Sequence, residues 1–135
     1  MMYRDKKITV LLVSQPGIMH NTLYSILQSF VDALAVSTNG ALTAFDHLEQ
    51  QRTNVVVIDA NLPLTERVAL LARTKKQFPE VRTLVLTTTA KYHQRLKEAG
   101  ADQILLQNAS RQEIEAAVFA DKFEQGASEK LETEA

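Results

Sequence analysis

Short uninterrupted apolar runs alternate along this chain with segments whose apolar residues recur every three or four positions. Ile8–Val13 (ITVLLV) is continuous and rich in β-branched residues, the pattern of a strand buried on both faces. After Pro16-Gly17, Met19, Leu23, Ile26, Leu27 and Phe30 fall on one helix face. Ala33–Ser37 predicts a second strand, and Asn39-Gly40 is turn chemistry. Ala41–Gln50 sets Ala44, Phe45 and Leu48 on one side of a short helix, and Asn54–Asp59 (NVVVID) predicts a third strand. Glu66–Phe78, with Val68, Leu71 and Ala72 inward, reads as a helix that Pro79 ends. Val81–Thr87 predicts a strand, and Lys91–Ala99 a helix closed by Gly100. Gln103–Leu106 predicts a fifth strand. Ser110-Arg111-Gln112-Glu113 is a capping box opening a helix that buries Ile114, Ala117 and Val118.

Five strands alternating with five helices imply an α/β fold with a parallel sheet. Right-handed crossovers leave few topologies, and the flavodoxin-like, doubly wound order 2-1-3-4-5 is the common one. The core should hold Val10, Leu12, Val55, Val57, Leu84, Leu86 and Leu105.

Composition narrows the picture. The chain has 135 residues, 45% of them hydrophobic and 23% charged, enough for one sizeable core. A net charge of -1 offers no broad field for nucleic acid or an anionic membrane. With no cysteine there is no disulfide, thiol nucleophile or thiolate metal site. The six-residue run Ile8–Val13 is too short for a signal-peptide core or a membrane span. These features predict a cytoplasmic domain over residues 1–123. Asp121–Ala135 carries five acidic residues against two lysines, so residues 124–135 are expected to be a flexible acidic tail or a truncated linker.

Ligands of open parallel sheets bind at the carboxyl ends of the strands, where the strand order reverses. Here the ends are Ser14-Gln15, Asp59, Thr87-Thr88 and Gln107. They should converge on one edge, with Asp59 and Thr87 within about 10 Å, two strand spacings. Polar strand ends also serve plain solvation, and the residues alone leave both readings open. His20, His47 and His93 are scattered, with no second ligand at i+3 or i+4, and are expected at the surface. No nucleophile elbow and no glycine cluster for phosphates is present.

Over Ile8–Phe123 the sequence resembles the receiver domains of two-component response regulators. NVVVIDANLPL (Asn54–Leu64) is similar to the family's phosphoacceptor strand and loop. Asp59 stands at the acceptor position, Asn61 where a backbone carbonyl helps hold Mg²⁺, and Pro63 at the proline four residues on. TLVLTTT (Thr83–Thr89) looks like the fourth strand, with Thr87 at the phosphoryl-contacting position. KEAGADQILLQNAS (Lys97–Ser110) looks like the junction before strand five in receivers that precede helix-turn-helix output domains.

Several positions depart from the pattern. Ser14 and Gln15 stand where the family has its Mg²⁺-binding acidic pair, and Gln107 where it has a lysine. Ile104 replaces the switch aromatic, and Arg67 the usual glycine of the loop after the acceptor. Mg²⁺ normally takes one or two carboxylates with waters; only Asp59 remains as a carboxylate here, with the Ser14 hydroxyl and Gln15 amide as neutral oxygen donors, and Asp59 and Asn61 are the positions that would hold any metal. Phosphoryl transfer depends on metal and Lys/Arg charge around the equatorial oxygens.

The resemblance therefore implies a receiver-like signalling module, degenerate, not an enzyme, acting through protein–protein contacts and held in one state. It implies no cofactor, Mg²⁺ binding being weak. Partners would be a signalling protein, a histidine kinase or a second copy, with no membrane and no direct nucleic acid. An active receiver phosphorylated on Asp59 with weak Mg²⁺ dependence is the alternative. A small flavodoxin-like enzyme or cofactor binder using Asp59 and Thr87 is a second. Receivers commonly pair through the fourth or fifth helix, so Tyr92, Leu96, Val118 and Phe119 are expected to form an exposed apolar patch.

Overall fold

The structure, a computed structural model, describes residues 7–120. Strands β1 (Ile8–Val13), β2 (Ala33–Thr38), β3 (Val55–Ile58), β4 (Arg82–Thr87) and β5 (Gln103–Leu106) alternate with helices α1 (Ile18–Gln28), α2 (Ala41–Gln50), α3 (Leu64–Gln77), α4 (His93–Ala99) and α5 (Arg111–Val118). A 3-10 turn, Ala90–Tyr92, leads into α4. All four ladders are parallel and the order is β2-β1-β3-β4-β5, as the alternation implies. No helix among the described residues is long and apolar enough to cross a membrane.

The continuous apolar runs are explained by two cores, one on each face of the sheet. Val10, Leu12, Val55, Val57, Leu84 and Leu86 point to one face, where α1 and α5 cover them with Leu23, Leu27, Ile114 and Val118. Leu11, Val13, Val56, Ile58 and Val85 point to the other, under α2, α3 and α4. Each fully buried Leu or Val contributes about 1.5–3 kcal/mol by leaving water. Where strands begin, side chains supply missing ladder bonds. Asn54 Oδ1 accepts the Thr9 N–H at 2.8 Å, and Asp102 Oδ2 accepts the Thr83 N–H at 2.8 Å.

Four expectations need correction. α3 buries Arg67, Leu70, Leu71 and Thr74, while Ala72 is exposed and Val68 half-buried. The true face includes a cation and a hydroxyl, which a hydrophobicity pattern assigns to solvent. The expected patch on the last two helices is absent, because Leu96, Val118 and Phe119 are buried and Tyr92 is packed against the core. His20 lies inside, 8% exposed, its ring tilted against Tyr24. Leu105 is only half-buried, on the short edge strand β5. The capping box is present as read, Ser110 Oγ accepting the Glu113 N–H and Glu113 accepting the Ser110 N–H. The expectations for residues 121–123 and for the tail at 124–135 lie outside the described residues.

Candidate functional site

β1 and β3 lie side by side, with Val13 paired to Ile58, so the next residues of each chain, Ser14 and Asp59, emerge together at the carboxyl edge. The Asp59 N–H still donates to the Val13 carbonyl at 3.0 Å, extending the ladder by one bond. β4 is in register with β3 through Ile58 and Val85, which puts Thr87 one residue beyond the neighbour of Asp59. That spacing is about 6 Å between their backbones. The Gln107 N–H donates to the Thr87 carbonyl at 2.8 Å and so closes the row. The four strand ends therefore share one edge, as expected.

Their side chains do not all meet. Ser14 is fully buried and Asp59 is 1% exposed. The Ser14 hydroxyl donates to Asp59 Oδ2 at 2.7 Å. A hydroxyl has one proton, and the short contact to a carboxylate claims it. Asn61 Nδ2 then donates to Ser14 Oγ at 3.1 Å and to the Gln15 carbonyl at 3.1 Å, while Asn61 Oδ1 accepts the Gln15 N–H at 3.1 Å. The Asn61 side chain thus links the loop after β3 to the loop after β1, a contact the sequence did not announce.

The other positions face elsewhere. The Thr87 hydroxyl donates to the Thr89 carbonyl at 3.0 Å, and Thr89 Oγ1 accepts the Lys91 N–H at 3.1 Å, so the threonine run shapes the turn into α4. Gln107 turns toward α1, its Nε2 lying 3.8 Å from Met19 Sδ. Gln15 is exposed at the rim, and Ile104 packs into the core under α4.

Arg67 stands out in the sequence only as a departure at a glycine position, and its buried role is what sequence reasoning missed. It sits in the first turn of α3 and is 5% exposed. Its Nε donates to the Leu62 carbonyl at 3.0 Å and its Nη1 to the Leu86 carbonyl at 3.1 Å. Burial lowers the guanidinium pKa from its ordinary value, and the nearby Tyr92 and Asp59 partly offset this. The one available signal was its spacing from Leu70, Leu71 and Thr74, which is that of a single helix face.

Among the described residues, the side chains of Ser14 and Asn61 gather by Asp59, which is the one carboxylate of the three. No group of three or more His, Cys, Asp or Glu with metal-site geometry occurs among the described residues.

No curated protein matches the chain in sequence. The fold is shared with the signal receiver domain of an HD domain-containing protein from Pseudomonas fluorescens, at 21% identity and a TM-score of 0.76 over 90% of this chain and 98% of that one. A receiver domain of a sensor histidine kinase from Pseudomonas aeruginosa, solved with a magnesium ion in its active-site cleft, gives 19% identity and 0.74, over 84% and 96%. The Salmonella typhimurium response regulator RcsB gives 15% identity and 0.73, over 87% of this chain and 61% of its own. At these identities the likeness speaks for the fold alone. The sequence profile of the response regulator receiver domain, however, matches residues 10–119, most of the chain and every element that builds the edge described above. On that match, this chain belongs to the response regulator receiver domain family of two-component signalling.

Proposed function

We propose that this receiver is degenerate: a signalling module that works through protein–protein contacts and not through phosphoryl turnover at Asp59. The observation that carries the reading is the 2.7 Å hydrogen bond from Ser14 to an Asp59 carboxylate that is 1% exposed. An acceptor aspartate must present a free oxygen to phosphorus. Here Oδ2 is engaged by a neutral hydroxyl over which Asn61 closes, and the second oxygen is buried with it, Asp59 being 1% exposed.

The charge balance supports the same conclusion. With Ser14 and Gln15 in the acidic-pair positions, a divalent cation is offered one carboxylate, and Mg²⁺ prefers more anionic and more regular company. Gln107 has no charge to place on a phosphoryl group and points to Met19 instead. Losing one such electrostatic contact slows transfer by about 10²–10³-fold. Conversely, a single negative charge with a hydroxyl donor is at ease without a cation, since no second carboxylate repels it. The pocket is thereby held in one state. Its partner is a signalling protein, a histidine kinase or a second copy of the chain.

The test is incubation with acetyl phosphate and Mg²⁺ followed by intact mass. Negligible addition of a phosphoryl group is expected. Substantial labelling that vanishes in Asp59→Asn would overturn the reading in favour of an active phosphoacceptor. The triple change Ser14→Asp, Gln15→Asp, Gln107→Lys should restore labelling if the missing charges are the cause.

A further inference from the structure

A guanidinium inside a protein is expensive to desolvate and persists where its donors meet fixed acceptors. Arg67 is 95% buried by its 5% exposure, yet neither of its two hydrogen bonds goes to a carboxylate. Both go to backbone carbonyls, on segments that share no ladder bond with each other at those residues. Leu62 lies three positions after Asp59, in the loop entering α3. Leu86 lies immediately before Thr87, at the end of β4. The charge of Arg67 also sits in the fields of Tyr92, just ahead of α4, and of Asp59.

The chemistry of the group fits this placement. A guanidinium is a rigid planar fork whose donors diverge at fixed angles, so it sets the distance between two acceptors. An ammonium on a lysine stem is a single mobile point and cannot do so. Leucine would fill similar space and leave two buried carbonyls without donors.

We propose that Arg67 is a positioning residue: its fork ties the segment after Asp59 to the strand end that carries Thr87, and so fixes the two against relative movement. The proposal rests on the reading of a pocket held in one state and names the residue that holds it. Thr87 then keeps its hydroxyl on the Thr89 carbonyl, and the turn into α4 follows.

The experiment is ¹⁵N NMR on the intact chain without phosphodonor, so that its result is independent of the labelling test above. In the wild type, the Arg67 Nε–H should give a resolved signal protected from solvent exchange, and relaxation dispersion should be flat at Leu62 and at Leu86–Thr89. A rapidly exchanging Nε–H, or millisecond exchange already present at those residues, overturns the proposal. In Arg67→Lys and Arg67→Gly, exchange with a common rate should appear in both segments and be absent from β2 and α2. A folded Arg67→Lys that behaves like the wild type would assign the effect to charge and overturn the tie. A loss of thermal stability without localised exchange would make Arg67 a packing residue, which also overturns it. Should neither variant fold, the wild-type Nε–H and dispersion measurements decide.

Discussion

Asn61 tests the site one side chain at a time. Asn61→Ala removes a side-chain acceptor of the Gln15 N–H and a donor to Ser14, while leaving the Ser14–Asp59 bond in place. Gln15 is exposed, so water can replace part of what is lost, and the stability loss should be about 1 kcal/mol. Amide hydrogen exchange at Gln15 should rise by about tenfold, and an unchanged rate would show that the linkage is idle. Ser14→Ala is the harsher change, because it leaves a buried carboxylate oxygen without its donor, and it should cost about 1–3 kcal/mol by urea unfolding. The positions of Asp59, Ser14 and Thr87 were legible because each polar residue ends an apolar run. What Asn61 and Arg67 do was not. Asn61 reaches a loop 46 residues away and Arg67 a carbonyl 19 residues away, and a pattern of single residues carries no record of such partners.

Helices were read correctly where their signals were local. The Ser110 capping box is complete within four residues, and α5 starts where it says. Ser110→Ala should therefore cost about 1 kcal/mol, measurable as a lower denaturation midpoint. Gly100 closes α4 with φ at +121°, a backbone setting that side chains rarely adopt, and an added Cβ would come within 3.3 Å of Lys75 Cβ on α3. Gly100→Ala should lower stability by about 1–3 kcal/mol, and a neutral result would mean that α3 and α4 separate easily. α3 was misread in phase because its buried face includes Arg67 and Thr74, residues whose burial depends on neighbours in other elements. The apolar residues of α4 and α5 that promised an exposed patch are consumed by the two cores, since short helices over a five-stranded sheet have few side chains to spare.

At the scale of the whole domain, stability should owe little to a divalent cation. A ligand binding with a dissociation constant at or above its own concentration adds no more than about 0.4 kcal/mol. Adding Mg²⁺ at about 10 mM should then raise the melting temperature by less than about 2 °C, given the usual entropy of unfolding for a domain this size. A larger rise would show a working metal site. The architecture itself was legible throughout, because a parallel sheet buried on both faces writes its strands as unbroken apolar runs.

The order of the sheet has a further consequence, for the birth of the protein. β1 sits between β2 and β3, and its residue Val10 pairs with Val55. A chain emerging from the ribosome therefore displays ITVLLV with one flank bare until some 45 more residues have been made. Synthesis at about 5–20 residues per second leaves that flank open for seconds. A strand buried on both faces in the finished fold is thus left half-paired for that time, and substitutions that delay β3 should lower soluble yield more than they lower the stability of the finished fold.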